Sequence, residues 1–179
     1  MISFREVKNV YECLELWNQE LNYLYPIGKD IFEENIIDYN EKKVFGAYDD
    51  NKLVGFMIGK TFYHEKLKTY QNQGFISLFY VARKYRKQGI GSKLLANTEE
   101  YLKDKDIIHV GRDVNCLFPG VPCDFDNLTD EWLIKKGFNA GKYTHDLINR
   151  NCKKYRLKNN KYQFKVCTIV EKEKLIQFM

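Results

Sequence analysis

Residues 74–95 read GFISLFYVARKYRKQGIGSKLL, and this stretch carries the clearest structural pattern of the chain. Its first part is the most continuous apolar run of the sequence, between a glycine and a basic segment, which predicts a central strand at 74–81 buried on both faces. Apolar residues at helical spacing, among them Leu94 and Leu95, predict a helix that begins near Gly89 and ends at Lys103. A basic turn therefore joins a buried strand to an amphipathic helix.

The turn at 86–93 has the composition of an anion-binding site. Gly89 and Gly91 would let backbone N–H groups approach phosphate oxygens, and the positive end of the following helix points the same way. Arg86, Lys87 and Lys93 add positive charge. The spacing fits neither a Walker loop nor a dinucleotide fingerprint. The structural alternative is a pair of glycines that only close a tight turn.

Outward from this unit the sequence predicts a mixed set of elements. Strands are predicted at 2–5, 43–48, 53–62, 107–111, within 138–147 and at 161–168, and helices at 10–24, 30–39, 128–136 and 171–179. The turn at 49–52 indicates an antiparallel hairpin, and the polar segment 64–74 a surface loop. The fold class is α/β: a single domain with a mixed central sheet and one parallel crossover, flanked by helices.

Composition excludes several classes of protein. The chain has 179 residues, 44% hydrophobic and 30% charged, which suits one folded domain and excludes disorder throughout. No apolar run approaches the ~18 residues of a membrane span, so we expect a cytoplasmic protein with no membrane partner. Five cysteines without a C-x-x-C pair predict no metal site. Basic residues concentrate at 83–93 and 142–165, which indicates two anion-facing or strongly solvated stretches.

The run 76–95 resembles motif A of the Gcn5-related N-acetyltransferases (GNAT), and the predicted order of elements is similar to that family over about residues 1–150. The resemblance implies acetyl-CoA as cosubstrate, with its pyrophosphate on the backbone amides of 88–92 and Arg86 at the mouth. It also implies that Phe79, Tyr80 and Val81 pair with the pantetheine arm, and that the Val81 N–H polarises the thioester carbonyl. The full set expected around the coenzyme is Phe79, Tyr80, Val81, Arg86, Lys87, Gln88, Gly89, Ile90, Gly91, Ser92 and Lys93.

Shorter motifs are similar to a bacterial branch of this family that includes glucosamine and glucosaminide acetyltransferases. They include Leu16-Trp17-Asn18, the proline-rich 118–122 and Lys136-Gly137-Phe138. We therefore expect an N-acetyltransferase that acts on a primary amine of a small molecule, with aminosugars among the candidates. Trp17, Asn18 and Phe118 are expected to line the acceptor pocket; alternatively, the 118–122 loop only turns the chain.

The customary catalytic side chains of the family are absent from this sequence. The predicted central strand has no carboxylate, and the position four residues before Gly137 is Leu133 where many relatives have a tyrosine. Asp113 is the expected carboxylate on the acceptor side, reached through water, because it follows the strand at 107–111 at its C-terminal end. Tyr80 is a candidate proton donor. The structural alternatives are a turn-capping aspartate and a core aromatic.

Two other functions remain open from the sequence. One is a non-catalytic module of the same fold that binds coenzyme A or a regulatory ligand. The other is a nucleic-acid binder using 142–165, which we disfavour because the aromatics there alternate as in a strand. We divide the chain into a GNAT-like domain at 1–150 and a basic linker with a strand–helix segment at 151–179. That segment either begins a second similar domain or docks on a partner subunit, as in a homodimer.

Overall fold

The hairpin predicted around 49–52 forms the middle of a mixed sheet in the computed structural model, which describes residues 1–62, 70–113, 116–122 and 128–141. The described strands are β1 (Ile2–Glu6), β2 (Lys42–Asp49), β3 (Lys52–Thr61), β4 (Gln73–Val81) and β5 (Ile107–Val110). They lie in the order β1-β2-β3-β4-β5, antiparallel except for the parallel pair β4 and β5. The predicted fold class is confirmed.

Helices flank this sheet. They are α1 (Tyr11–Leu21), α2 (Lys29–Phe32) with a π-helical turn at Glu33–Ile37, α3 (Ile90–Tyr101) and α4 (Leu128–Lys135). The first helix ends three residues earlier than predicted, because the N–H groups of Leu24 and Tyr25 both donate to the Leu21 carbonyl and turn the chain. The crossover from β4 to β5 passes through α3, as the sequence predicted.

Two apolar cores cover the two faces of the sheet. On one face α1 buries Cys13, Leu14, Leu16, Trp17 and Leu21 against side chains such as Phe56 and Leu78. On the other face α3 buries Ile90, Leu94 and Leu95 against Val54, Met57 and Ile76. Burial of each large aliphatic side chain stabilises the fold by ~1.5–3 kcal/mol. Helices on both faces therefore hold β4 in a fixed position.

A β-bulge interrupts the pairing of β3 with β4. Ile58 pairs with Leu78, but the next residue, Gly59, pairs with Ile76, so Ser77 is the extra residue of β4. Ile76 consequently packs in the α3 core and Leu78 in the α1 core, although residues two apart in a regular strand share a face.

Met1–Ala140 form one compact unit. Within the described residues, no helix has the length and apolarity needed to cross a membrane, and the cytoplasmic location stays a prediction. The predictions for most of the 64–74 loop, the strand at 161–168, the helix at 171–179 and the basic stretch 142–165 lie outside the described residues. The domain boundary near residue 150 also stays a prediction.

Candidate active site

The parallel strands β4 and β5 separate after a short paired region. Their register runs from Gln73 opposite Ile107 to Ile76 opposite Val110, and the Gly111 N–H donates to the Ile76 carbonyl at 2.9 Å. The chain then turns through left-handed conformations at Gly111 and Arg112, with φ of 71° and 60°. A split therefore opens beside the C-terminal half of β4.

The backbone of β4 presents hydrogen-bonding groups to this split. The Ala82 N–H donates to the Val54 carbonyl on β3 at 2.9 Å. Because neighbouring residues of a strand point their backbone groups to opposite edges, those of Phe79 and Val81 point into the split. The Val81 carbonyl accepts a hydrogen bond from Arg86 Nε at 2.9 Å. A strand edge with N–H and C=O groups can bind an extended amide-containing chain.

A cavity of about 490 Å³ follows this edge. Its walls come from β4, the end of β5, the start of α3, one side of α4, the loop at 118–122 and α1. The predicted site residues among its lining are Trp17, Phe79, Tyr80, Val81, Arg86, Lys87, Gly89, Ile90, Gly91, Ser92 and Phe118. The structure thus brings most of the predicted donor residues and two of the four predicted acceptor residues to one cavity.

The N-terminus of α3 opens on this cavity with the features of an anion site. Lys87 and Gly89 have φ of 60° and 80°, which aims the following amides outward. The Lys93 N–H donates to the Gly89 carbonyl, so the amides of Ile90, Gly91 and Ser92 precede the first intrahelical bond. In the described part of the chain no side chain caps this end, and its first turn carries no acid. These residues fit a pyrophosphate.

Four predicted residues are not among the described cavity lining: Asn18, Gln88, Lys93 and Asp113. The Asn18 side chain bonds both backbone groups of Ile27, with Nδ2 donating at 2.8 Å and Oδ1 accepting at 3.0 Å. The side-chain amide of Asn18 therefore holds the backbone at Ile27 and does not line the cavity. The Gln88 side chain donates to the Lys84 carbonyl at 3.2 Å, and Lys93 is exposed.

The Tyr80 hydroxyl, a predicted proton donor, donates to Glu20 at 2.9 Å. Burial, and then the hydrogen bond to Glu20, raise the pKa of Tyr80 to about 12. The ring is buried, edge-on to Trp17 at 5.9 Å, with the Arg86 guanidinium 5.2 Å from its centre. This geometry favours the alternative of a core aromatic, whose face forms part of the cavity wall.

Asp113 lies in a buried polar cluster and not at the cavity surface. Its Oδ2 accepts from Lys60 Nζ at 2.6 Å and from the Ser77 hydroxyl. Burial lowers the pKa of Lys60, and the charge of Asp113 opposes that shift. Of the three residues, Ser77 is the one that lines the cavity. Ser77 therefore lies between Asp113 and the cavity, whereas the sequence predicted that water would connect Asp113 to the acceptor.

An aromatic wall closes the end of the cavity nearest α1. Trp17 stacks on Phe118 with ring centres 5.4 Å apart, and Tyr25 packs edge-on against Phe118 at 6.0 Å. Trp17 Nε1 donates to the Tyr25 carbonyl at 2.7 Å, which fixes the indole. The loop at 118–122 thus supplies one side of this wall, and its role in binding the acceptor stays a prediction.

Sequence reasoning missed several residues of the site. They include Glu20 on α1, Lys60 in β3 and Ser77 in β4. The residues around each of them form an ordinary helix or strand pattern, which does not indicate a functional site. Trp132 of α4 contacts the place where a Cβ on Gly91 would lie, at 3.5 Å, and lines the cavity. The sequence indicates only that Trp132 lies within the predicted helix at 128–136.

Comparisons with known proteins agree with this geometry. The family model described as acetyltransferase (GNAT) family matches residues 10–115. A search of the curated proteins found no match. Solved structures with the same fold are numerous, and at identities below 25% they inform on the fold alone.

Three of these structures illustrate the similarity. One is the GCN5-related glucosamine N-acetyltransferase region of a fungal multi-domain GH3 β-N-acetylglucosaminidase, with a TM-score of 0.68 and 22% identity. The match covers 78% of this chain but 17% of the length of that protein. An aminoglycoside acetyltransferase from an uncultured soil metagenomic sample, with trehalose, has a TM-score of 0.59 and 16% identity over 83% of this chain and 95% of its own.

A protein described as a predicted acetyltransferase from Clostridium acetobutylicum, with acetyl-CoA, has a TM-score of 0.58 and 15% identity. The match covers 83% of this chain and 96% of that one. The split between β4 and β5, the open helix N-terminus beside it and the family match lead to the same conclusion. The chain belongs to the acetyltransferase (GNAT) family and is an enzyme of the N-acetyltransferase class, with acetyl-CoA as cosubstrate.

Proposed function

We propose that this chain transfers the acetyl group of acetyl-CoA to a primary amine of a small molecule, by direct attack of the amine in a ternary complex. One observation carries the proposal. The open edge of β4 and the open N-terminus of α3 line one cavity, and the aromatic wall of Trp17 and Phe118 lines the same cavity. Donor and acceptor would therefore meet beside the end of β4.

The donor end is assigned to backbone groups and basic side chains. The amides at 88–92 would hold the pyrophosphate, while Arg86, Lys87 and Lys135 line the same cavity and would balance its charge. The edges of Phe79 and Val81 would pair with the amides of the pantetheine arm. Lys93, which is exposed, would contribute long-range attraction to the anionic coenzyme.

The transfer itself requires few side chains. The amine nitrogen attacks the thioester carbonyl carbon, the new C–N bond forms, and the C–S bond breaks to release coenzyme A as a thiolate. The Val81 N–H would donate to the carbonyl oxygen as negative charge develops there. A thiol has a pKa of ~8.5, so the thiolate can leave near neutral pH without a dedicated acid.

The acceptor end suits a ring that carries an amine. Trp17, Tyr25 and Phe118 offer an apolar surface, and sugar rings or other compact amines pack well on such surfaces. Glucosamine and aminoglycosides, named for two of the similar structures, are the first acceptors to test. An aminosugar is therefore our first choice of substrate class.

The direct test is acceptor-stimulated release of free coenzyme A thiol from acetyl-CoA. The panel comprises aminosugars, aminoglycosides, polyamines and amino acids, with mass spectrometry of the products. We expect saturable release with at least one amine and an N-acetylated product. Tight binding of coenzyme A with no release across the panel would contradict acetyl transfer to small-molecule amines.

A further inference from the structure

Three polar side chains from three elements meet behind the cavity wall. Lys60 comes from β3, Ser77 from the bulge of β4, and Asp113 follows the left-handed turn after β5. The side chains of Lys60 and Asp113 are 1% and 3% exposed, and Ser77 is buried as well. Residues so distant in sequence form this cluster because the bulge at Ser77 and the turn at 111–112 bring them together.

Stability alone is a weak reason for this cluster. Removing two charges from water costs about as much as their attraction returns, unless further hydrogen bonds satisfy every lone pair. Asp113 does not meet that condition, because within the described part of the chain its buried Oδ1 has no hydrogen-bond partner. An unsatisfied buried acceptor calls for an explanation, and a catalytic role is one.

We propose that Ser77 and Asp113 relay the proton of the acceptor amine from the cavity to a buried carboxylate, and that Lys60 is the positioning residue for that carboxylate. The relay rests on the proposed function, since it supplies the base that acetyl transfer to a protonated amine requires. Ser77 is the link, because it lines the cavity and donates to Asp113 Oδ2.

The relay moves one proton and leaves every group intact. The ammonium nitrogen of the acceptor gives its proton to Ser77 Oγ while the proton of Ser77 passes to Asp113 Oδ2. The amine is then neutral and attacks the thioester, and a second proton is lost from nitrogen as the amide forms. Solvent takes up the second proton. The first returns from Asp113 through Ser77 to the departing thiolate or to solvent, so that Asp113 is again a carboxylate.

Lys60 has the contacts to remain a cation while Asp113 is neutral. Its Nζ also donates to the Asn35 carbonyl at 2.7 Å and lies 4.8 Å from the centre of the Tyr39 ring. Among the described residues, Tyr39, Lys42 and Cys116 are titratable groups that interact electrostatically with the pair. Lys60 therefore fixes the orientation of the carboxylate in both protonation states.

Substitution of Ser77 tests the relay through its pH dependence. The probes are D-glucosamine and the more basic ethanolamine, each with saturating acetyl-CoA, between pH 6.5 and 9.5. Because general-base catalysis contributes ~10²–10⁴-fold, we expect Ser77→Ala to lower kcat at least about tenfold at pH 7. The deficit should shrink as pH rises, since the variant reacts only with amine that solution has already deprotonated. At neutral pH the loss of kcat should be larger for ethanolamine than for D-glucosamine, because more of the ethanolamine is protonated.

Three further variants separate a relay from a structural role. Ser77→Thr keeps the hydroxyl and should recover most of the rate. Thr98→Val removes another buried hydroxyl, which donates to the Leu94 carbonyl within α3, and should leave the pH profile unchanged. The double variant Lys60→Met/Asp113→Leu replaces the ion pair with apolar side chains; it should stay folded and be as slow as Ser77→Ala.

If Ser77→Ala keeps the wild-type kcat, or loses the same factor in kcat at every pH, the relay is wrong and the proposed function still stands. Wild-type kinetics in the double variant would lead to the same conclusion. Wild-type protein that acetylates neither amine would overturn acetyl transfer to such acceptors, and the relay with it. Unchanged acetyl-CoA affinity in Ser77→Ala, measured by calorimetry, confirms that the donor site is intact.

Discussion

Arg86 Nε donates a hydrogen bond to the Val81 carbonyl across 2.9 Å, which ties the basic turn to the end of β4. The guanidinium also lies over the Tyr80 ring. The carbonyl of Val81 is thereby occupied, while its N–H points into the split. Arg86 thus shapes the edge on which we propose the thioester rests, in addition to supplying charge.

Arg86→Lys should raise the KM for acetyl-CoA about tenfold. Lysine keeps the positive charge but has no Nε to donate to the Val81 carbonyl. A hydrogen bond from a charged group contributes ~1.5–3 kcal/mol. Steady-state kinetics measure the effect. Arg5→Lys is the matched control, since Arg5 lies over Tyr48 on another part of the sheet. Wild-type KM in Arg86→Lys would show that only its charge matters.

Gly111→Ala should destabilise the fold and disturb the aromatic wall of the cavity. A Cβ there would lie 2.8 Å from Gly120 N and 2.9 Å from the Phe118 carbonyl oxygen, at a φ of 71°. Overpacking costs ~1–3 kcal/mol and the left-handed conformation ~1–2 kcal/mol, so we expect the thermal midpoint to fall by at least about 5 °C. Gly120→Ala, with nothing within 4 Å of its Cβ, should leave the midpoint unchanged. Equal midpoints for the two variants would contradict the packing.

Phe118→Ala should raise the KM for the acceptor and leave the affinity for acetyl-CoA unchanged. The substitution removes the ring that stacks on Trp17 of α1 in the wall of the cavity. We expect a loss of about tenfold in kcat/KM for the amine, since an aromatic contact contributes ~0.5–1.5 kcal/mol beyond its buried area. Phe62→Ala, whose ring packs on Tyr70, serves as control. An equal loss for both substrates would show a general structural defect.

Stability should fall as pH rises from about 10 to 12. Burial is the main cause that raises the pKa values of Tyr39, Tyr48 and Tyr80 to about 12. Below pH ~10 these phenols are neutral in both states, whereas above it they ionise in the unfolded chain first, which favours unfolding. Urea denaturation at pH 9 and pH 11 measures the loss, and Tyr48→Phe should reduce it. Equal urea midpoints at the two pH values would contradict this account.

Local patterns predicted the fold because its elements carry strong periodicity. The apolar run at 74–81, the turn at 49–52 and the helix after Gly89 each combine a hydrophobic pattern with a matching boundary. Ser77 could not be identified in the same way, because a bulge depends on the register of two strands and not on one strand's sequence. Within an apolar run, a single serine looks like a core residue.

Long-range pairing explains why the polar cluster was not predicted. Lys60 ends a strand pattern where a solvated lysine is ordinary, and its burial depends on Asp113, which lies 53 residues away in sequence. Asn18 sits on the polar side of α1, yet its amide is held by Ile27 after the chain turns back. Such partners are set by the tertiary structure.

The affinity of acetyl-CoA for Gly91→Val, measured by calorimetry, tests the central proposal most directly. A Cβ at this position lies 3.5 Å from Trp132, an ordinary contact, so we expect the fold to tolerate the change while the side chain blocks the amides at the start of α3. Binding should weaken at least about tenfold relative to wild type, with Gly28→Ala, an open glycine outside the described cavity lining, as control. Wild-type affinity in a folded Gly91→Val protein would contradict the placement of the coenzyme.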